Sequence, residues 1–439
     1  MPKNQWGVFQ VNRQVVRGGV LAFSAVVLVF SFQNCSEPFR ISERAAESEG
    51  SSSGQPQATQ PPLRVPYNLP KPGEAVSIGV NSAMSLIPSD EGWDSMAWGY
   101  SLFDSFGGGA FVPTYSEVGG YVIAGSGGHG HPDNPSAVVF DFETATWSRL
   151  ENANGVRRKG YPFVFSVAES NGSPWYEFPG TEVPLPAHPY ANLAFMPDGE
   201  KGSVIYVGRA AVAGEAVDPQ TSHRFDLATR RWTRATNELM LGGRSQVESD
   251  AVWDEARNRW WYINSVMHNY LSLTYLDRSD LKWKEVAGMT DYQSSAIAGY
   301  GRVMLHDGLL IKNNQSQGLW MVDPDRVFEG WRRLTVDGTL PKDQDRWARY
   351  SDGNWYSFQG SPGNQITRIR PPSNPKTGVW VVDSVAVSGA SLPPKAGLHN
   401  PSSLSHYTRF FYVPKLDCLA WIPGGGNSVY LLKPGPVSN

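Results

Sequence analysis

The sequence of 439 residues contains only two cysteines, Cys35 and Cys418, so a disulfide framework cannot be the source of its stability. Charged residues are also scarce, at 18%, and the formal net charge at pH 7 is -3. A dedicated nucleic-acid binder would carry a basic face and a high isoelectric point, so nucleic acid is not expected as a partner. The sequence also lacks a phosphate-binding glycine loop, a serine nucleophile elbow and an HExxH zinc motif.

Aromatic and turn-forming residues are, in contrast, abundant. Aromatic residues reach 12%, including 16 Trp, and there are 45 Gly and 33 Pro. Aromatic side chains favour strands, whereas Gly and Pro favour tight turns. The composition therefore predicts short strands joined by tight turns, in a chain long enough to bury a large core.

The first 34 residues have the pattern of an export signal. Lys3, Arg13 and Arg17 precede an apolar run at 20–32, and this basic start contains no acidic residue. As a helix, that run would be roughly 20 Å long, which is too short to cross a hydrocarbon core of ~30 Å. A basic start followed by a short apolar run is typical of a signal peptide, which we assign to residues 1–34.

Cys35 follows this run directly, and the segment resembles a bacterial lipoprotein signal. The resemblance implies that Cys35 carries the lipid and becomes the first residue of the mature chain. Small residues usually precede that cysteine, whereas this sequence has Gln33 and Asn34. The alternative is an ordinary signal in which Cys35 is incidental.

Residues 36–65 are rich in Ser, Glu, Gly, Gln and Pro and contain few large apolar residues. Such a segment cannot bury enough apolar surface to become ordered, so it is expected to be a flexible linker that reaches on the order of 30 Å. The expected organisation is a signal peptide at 1–34, a lipid-anchored linker at 35–65 and a folded domain at 66–439. The domain would then lie in the cell envelope, at the outer membrane or on a periplasmic face, or be secreted if no lipid is attached.

One short sequence motif recurs along this domain: a strand ending in Asp, a turn, and a Trp that starts the next strand. The pairs are Asp141/Trp147, Asp226/Trp232, Asp277/Trp283 and Asp323/Trp331, with a spacing of 6 in the first three and 8 in the fourth. An Asp side chain can accept hydrogen bonds from backbone N–H groups two or three residues further on. We expect each Trp to fill the space between neighbouring sheets.

The spacing of these tryptophans predicts the architecture. With Trp380 added, successive tryptophans are 85, 51, 48 and 49 residues apart, and a period near 50 is typical of one four-stranded propeller blade. We therefore predict an all-β propeller of six to seven blades. The longest step leaves open either a seventh blade or a long insertion at 151–189. The last unit offers only three strands, so a strand from residues 75–86 is expected to complete it and close the ring.

The repeat resembles the kelch family of propellers, including its bacterial galactose-oxidase-like branch, over residues 75–434. A Gly pair usually follows the second strand of a kelch blade, and Gly127 and Gly128 fit that position, although other units lack the pair. Galactose oxidase itself uses copper, a Cys–Tyr cross-link and two His. The spare thiol, Cys418, lies in a predicted strand, where a buried apolar Cys is the ordinary interpretation, so no cofactor is expected.

Candidate site residues lie mostly where the innermost strands are predicted to begin, so they can converge at one mouth of the central channel. They are His129, His131, His188, Tyr190, Arg349, His406, Tyr407 and Arg409. His129 and His131 alternate with Asp133 on a Gly-rich loop, and imidazole with carboxylate can bind a metal. A solvated or hydrogen-bonded His pair is the simpler interpretation, so no metal site is assigned.

The same residue types can support elimination chemistry. His or Tyr can remove a proton beside a carboxylate-bearing carbon while Arg neutralises the carboxylate. The set loosely resembles propeller polysaccharide lyases of the ulvan-lyase type, which implies His129 and Tyr190 as acid and base and Arg409 or Arg349 as the carboxylate binder. The alternative is that these side chains form hydrogen bonds between blades.

The leading hypothesis is a non-catalytic binding or scaffold module for a protein or polysaccharide, because fold alone does not give function. Its expected ligand contacts are His131, His188, Arg349, His406 and Tyr407, and the chain is expected to be a monomer held at the membrane by the lipid on Cys35. The competing hypothesis is a carbohydrate-active lyase acting on an acidic polysaccharide.

Overall fold

The structure is a computed structural model, and it describes the greater part of the chain beyond residue 63. The described ranges are 64–86, 108–124, 136–156, 177–178, 180–184, 192–207, 222–236, 250–265, 271–286, 302–314, 318–341, 347–358, 364–393, 408–424 and 428–435. Within these ranges the chain forms six β-sheets, and the only helices are short 3-10 turns such as Ala83–Leu86, Val327–Glu329 and Pro414–Leu416. No helix in this part of the chain has the length and apolarity needed to span a bilayer.

The strands are short and follow one another closely. In chain order they are β1 (Glu74–Ile78), β2 (Ala110–Val112), β3 (Gly120–Ala124), β4 (Ala137–Asp141), β5 (Thr146–Leu150), β6 (Leu193–Met196), β7 (Ser203–Tyr206), β8 (His223–Asp226), β9 (Arg231–Arg234), β10 (Asp250–Asp254), β11 (Arg259–Ser265), β12 (Leu271–Asp277), β13 (Lys282–Glu285), β14 (Arg302–His306), β15 (Leu309–Asn314), β16 (Gly318–Val322), β17 (Arg332–Arg333), β18 (Thr335–Asp337), β19 (Ala348–Arg349), β20 (Trp355–Ser357), β21 (Gln365–Arg370), β22 (Val379–Ala386), β23 (Ser388–Gly389), β24 (Phe410–Val413), β25 (Cys418–Trp421) and β26 (Val429–Lys433).

The six sheets are the blades of a β-propeller, which confirms the predicted fold class. Blade 1 is β2–β5, blade 2 is β6–β9, blade 3 is β10–β13, blade 4 is β14–β17, blade 5 is β18–β22, and blade 6 is β23–β26 with β1. The inner edges of the blades are β2, β6, β10, β14, β19 and β24. In residues 151–189, where the sequence left open a seventh blade or an insertion, the described residues include one isolated bridge, between Glu177 and Pro184.

The ring is closed by the N-terminal strand, as the three-strand last unit predicted. β1 pairs antiparallel with β26, with Glu74 opposite Lys433 and Ile78 opposite Val429. On its other side β1 pairs in parallel with β23, where Glu74 lies opposite Ser388. The first and last strands of the domain therefore share one blade, and a chain segment leaving blade 5 covers its outer edge.

Blades 5 and 6 differ from the predicted four-stranded pattern because each carries a fifth, parallel strand. β18 follows blade 4 and pairs with β22, and β23 follows blade 5 and pairs with β1. A glycine with positive φ follows β18, at Gly338 (φ +106°), and another ends β23, at Gly389 (φ +86°). A Cβ at these positions would lie 2.1 Å from the Val382 carbonyl oxygen and 2.4 Å from the Ala75 carbonyl oxygen. Only glycine allows this close approach.

The recurring Asp residues close their turns as predicted. The carboxylates of Asp141, Asp226, Asp277 and Asp323 accept hydrogen bonds from backbone N–H groups two or three residues on, at 2.6–3.1 Å. In the three shorter turns, the residue two positions before Trp has a left-handed backbone, and these residues are Ala145, Arg230 and Leu281. The fourth turn is longer because it contains the 3-10 segment Val327–Glu329.

Each recurring Trp packs between its own blade and the preceding one. Trp147 belongs to the core shared by blades 6 and 1, Trp232 to that of blades 1 and 2, and Trp331 and Trp380 to the next interfaces in the same way. Trp283 packs against the core between blades 2 and 3 but is only half-buried. The predicted position between blades is confirmed for all five tryptophans, although Trp283 is only half-buried.

Two asparagines join consecutive blades at these tryptophans. Asn81, just beyond β1, accepts a hydrogen bond from the Trp147 backbone N–H at 2.7 Å and donates to the Trp147 carbonyl at 3.0 Å. Asn154, just beyond β5, makes the same pair of bonds to Trp232, at 2.8 and 3.1 Å. The chain leaving one blade is thus fixed to the outer strand of the next.

A candidate ligand-binding channel

The inner strands enclose a central cavity of about 210 Å³. Its lining comes from β2, β6, β10 and β24, together with Trp347 and Ala348 of blade 5. These strands are sheet edges, and on the channel side no strand pairs with them in the described ranges. Since a sheet edge carries backbone N–H and C=O groups, the cavity wall combines side chains with polar backbone.

Half-buried aromatic rings alternate with small side chains around this cavity. The rings are Phe111, Phe195, Trp253, Phe411 and Tyr412, and the small residues are Gly109, Ala110, Ala194, Ala251 and Ala348. The pattern follows from strand geometry, because successive side chains point to opposite faces of a strand. The small residues next to Phe111 and Phe195, Ala110 and Ala194, leave space between the rings.

The rings on the blade 1 and blade 6 side are held in place by packing. Phe411 stacks on Tyr121 with 4.8 Å between ring centroids and on Phe111 with 5.5 Å. In blade 3, Trp253 packs against Trp260 at 4.7 Å. These contacts lie within the range of favourable aromatic pairs, so the rings form an ordered surface.

Thr408 connects blades 6 and 1 at the cavity wall. Its hydroxyl lies 2.8 Å from the Gly109 backbone nitrogen, whose hydrogen bond it accepts, and 2.6 Å from the Gly109 carbonyl oxygen, to which it donates. A Cβ at position 109 would lie 2.5 Å from the Val122 carbonyl oxygen, so a side chain larger than hydrogen does not fit. Ring closure and cavity shape are therefore linked through the same residues.

Two of the residues singled out from the sequence are described, and neither lines the cavity. Arg409 is fully buried just before β24, and its Nη1 donates to the Pro423 carbonyl at 3.1 Å. Arg349 is exposed at the end of β19, and its Nη2 lies 3.2 Å from Asp307 Oδ1 in blade 4. The structure therefore does not bring these two guanidinium groups together at the cavity wall.

The remaining candidates lie outside the described residues. These are Cys35, His129, His131, His188, Tyr190, His406 and Tyr407. Their proposed roles stay predictions. In the described residues, no group of three or more His, Cys, Asp and Glu side chains is arranged to hold a metal ion.

Cys418 is a buried free thiol, in agreement with the ordinary interpretation of its strand. Its Sγ donates to the Leu416 carbonyl at 3.2 Å. Burial raises the pKa of the Cys418 thiol to about 12, so the group is protonated at neutral pH. A protonated, buried thiol is a packing residue rather than a nucleophile.

A buried ionic cluster in blade 2 was missed by the sequence analysis. Glu177, from the segment between blades 1 and 2, accepts two hydrogen bonds from Arg234, at 2.8 and 2.7 Å, and lies 2.8 Å from His223 Nε2. Burial would raise the pKa of Glu177, but the hydrogen bonds from Arg234 and His223 outweigh it and hold that pKa below its ordinary value. The cluster fixes this segment to β8 and β9.

Replacing Glu177 with Gln is expected to destabilise the protein in a pH-dependent way. Because the folded-state pKa is lowered, the carboxylate stabilises the fold above its ordinary pKa and loses this effect as pH falls through the folded-state pKa. Hydrogen bonds to charged groups contribute about 1.5–3 kcal/mol, so Glu177→Gln should lower the free energy of unfolding at neutral pH by about 2 kcal/mol. Denaturant unfolding should show the gap to wild type narrowing at acidic pH.

The control for this measurement is Glu182→Gln, because Glu182 is an exposed acid of the same segment. It should change the unfolding free energy by at most a few tenths of a kcal/mol, as surface substitutions usually do. A Glu177→Gln effect that stayed constant with pH would show that the carboxylate charge is not the stabilising feature.

The fold and cavity define the class of this protein as a six-bladed β-propeller. No family model matches the chain, and no curated protein matches it. Solved structures do: a protein of unknown function from Bacteroides thetaiotaomicron has 12% identity and a TM-score of 0.41, covering 81% of this chain and 74% of that one.

Two glycoside hydrolases are also found among the similar structures. A GH43 endo-arabinanase from Bacillus licheniformis has 11% identity and a TM-score of 0.28, covering 65% of this chain and 94% of that one. An engineered GH43 enzyme with endo-xylanase and exo-arabinofuranosidase activity has 12% identity and a TM-score of 0.32, covering 53% and 46%. At these identities the likenesses concern fold alone.

Proposed function

We propose that this chain is a kelch-like ligand-binding module of the cell envelope and that its ligand binds in the central channel. The observation that carries the proposal is the lining of the cavity, where partly exposed aromatic rings surround an open space among small residues. Ligand pockets are typically concave, rich in aromatic side chains, and supplied with a few polar groups, which here are the edge backbone groups of the inner strands.

The contacts of the two candidate arginines that the structure describes, Arg349 and Arg409, favour binding over the lyase alternative. A lyase acting on an acidic polysaccharide needs a cation that meets the substrate carboxylate. Arg409 is buried and bonded to the Pro423 carbonyl, and Arg349 pairs with Asp307. Both contacts are structural, so neither guanidinium needs a substrate carboxylate as its partner.

The binding proposal is tested with a matched pair of tryptophan variants. Trp253 and Trp283 are both half-buried residues of blade 3 that pack against the same core, but only Trp253 lines the channel. Aromatic anchors of a binding site commonly contribute about 2 kcal/mol or more, so Trp253→Ala should weaken binding about tenfold or more. Trp283→Ala should leave it within about twofold.

The measurement uses the purified full chain on an array of bacterial and plant glycans, with each hit titrated in solution. Hits are also incubated with the protein and monitored for the ultraviolet absorbance of unsaturated uronic acids, which only a lyase would produce. Equal binding by Trp253→Ala and wild type would place the ligand outside the channel. Appearance of unsaturated products would replace the binding proposal with the lyase.

The envelope location rests on Cys35 and is tested separately. If Cys35 is lipidated, the mature chain begins there and sediments with membranes, because several acyl chains together anchor a protein stably whereas one does not. Intact-mass analysis of the native protein should give a chain beginning at Cys35 with the added mass of fatty acyl groups, and Cys35→Ser should abolish it. An unmodified Cys35 would leave a secreted propeller and would not affect the channel proposal.

A further inference from the structure

We infer that the channel selects an uncharged sugar residue at the end of a glycan, an inference that rests on the proposed binding function. This inference specifies the class of ligand for the channel, which differs from the acidic polysaccharide of the lyase alternative. Three properties carry it: the uncharged described lining of the cavity, its mixed aromatic and backbone wall, and its small volume.

The described residues that line the cavity are all uncharged. Of the arginines at the inner strands, Arg349 is paired with Asp307, and Arg409 donates to the Pro423 carbonyl. A carboxylate moved from water against this described lining would lose its hydration without gaining a cation from it, which is strongly unfavourable. A neutral ligand does not meet this penalty, so the cavity should exclude a uronic acid.

The wall nevertheless offers more than an apolar surface. The rings of Phe111, Phe195 and Trp253 provide flat apolar faces, while the edge backbone of the inner strands provides hydrogen-bonding groups. A sugar ring has matching parts, since its C–H groups form an apolar face and its hydroxyl groups form a polar rim. A purely apolar ligand would leave the edge backbone without partners at a free-energy cost.

The size of the cavity restricts how a sugar can enter it. A volume of about 210 Å³ lies below the roughly 300–1,000 Å³ typical of pockets for larger ligands, so only a small group fits. The inner strands of the six blades surround the channel. An internal residue of a polymer would require the chain to thread the whole channel, whereas a terminal residue needs only one opening. The cavity geometry therefore favours chain ends.

The test uses linear trisaccharides of glucose, galactose and mannose and, for each, a counterpart whose terminal C6 alcohol is oxidised to a carboxylate. α-Cyclodextrin, a neutral glucan ring without ends, completes the set. Binding to the full chain is measured calorimetrically for wild type, Trp253→Ala and the control Trp283→Ala. Measurements at low and high ionic strength distinguish charge-dependent binding, which salt screens, from neutral binding.

The inference predicts that at least one neutral trisaccharide binds, that its oxidised counterpart binds about tenfold or more weakly, and that α-cyclodextrin does not bind. Affinity should not change with ionic strength, and Trp253→Ala should weaken binding about tenfold or more while Trp283→Ala stays within about twofold. Equal or tighter binding of the oxidised sugars, binding of α-cyclodextrin, or no binding by any neutral trisaccharide overturns the inference.

The outcomes also separate this inference from the binding function on which it rests. If oxidised sugars bind and Trp253→Ala abolishes that binding, the channel is the site and the neutral preference is wrong. If neutral sugars bind equally well to Trp253→Ala and wild type, the channel is not the site, and both proposals fail.

Discussion

Deletion of Pro66–Leu86 should leave a protein that is insoluble or lacks fixed tertiary packing. The deleted segment contains β1, which pairs with β26 on one side and β23 on the other. It also removes Ile78 from the core between blades 6 and 1 and removes Asn81 from Trp147. Without β1 the ring opens and exposes the edges of β26 and β23, which are then free to pair with other chains.

The measurement compares solubility, near-ultraviolet circular dichroism and thermal unfolding of the deletion variant with wild type. The control is a deletion of equal length at residues 36–56, which leaves β1 intact and should not change the unfolding temperature. A Pro66–Leu86 deletion that stayed soluble and melted at the wild-type temperature would show that the ring does not depend on its N-terminal strand.

Trp232→Ala should lower the free energy of unfolding more than Trp283→Ala does. Trp232 is 1% exposed and packs against Phe225 and Tyr206, with ring centroids 5.1 and 6.0 Å away. Replacement of a fully buried Trp by Ala typically costs roughly 3–5 kcal/mol, because it combines lost burial with a residual cavity.

Trp283→Ala is the matched comparison, since Trp283 occupies the equivalent position in blade 3 but is half-buried. It should cost at least about 1 kcal/mol less than Trp232→Ala, because less apolar surface is lost. Denaturant unfolding with the same dependence on denaturant for both variants gives the two free energies. Equal losses would mean that the two blade interfaces are equally packed.

The fold could be predicted well because the repeating motif is local, with an Asp that forms a tight turn followed by a Trp that packs in the core. Both features depend on residues six positions apart in three of the blades. The closing strand could also be predicted, because the last unit was one strand short of four. The fifth strands β18 and β23 could not be predicted, because each pairs in parallel with a strand that is distant in the sequence, and no local sequence pattern marks such a pair.

The candidate site was harder to predict. Sequence reasoning selected polar residues such as His129, Tyr190 and Arg409, because these are residue types with known chemistry. The described channel instead has Phe111, Phe195 and Trp253 on its wall, residues that in sequence cannot be distinguished from core. A usable signal was the small residue near each ring, at Ala110 and Ala194 beside the two phenylalanines. The Glu177 cluster joins residues 46 and 57 positions apart, which no local pattern predicts.

Ring closure and ligand binding are connected in this account. Thr408 of blade 6 holds Gly109 of blade 1 at the cavity wall, and Phe411 stacks on Phe111 across the same interface. The strand that closes the ring, β1, lies in the same blade as Thr408 and Phe411. A variant that weakens closure should therefore also weaken binding, even where its substitution lies far from the channel.

The central claim is that ligand binds in the channel, and hydrogen–deuterium exchange tests its location most directly. The full chain is labelled with and without a saturating concentration of the tightest-binding neutral trisaccharide. Exchange should slow in peptides covering β2, β6, β10 and β24, whose edge backbone faces the cavity, and should be unchanged in the outer strands β5, β9 and β13. Unchanged exchange in the four inner strands, with slowing only in the outer ones, would contradict the account.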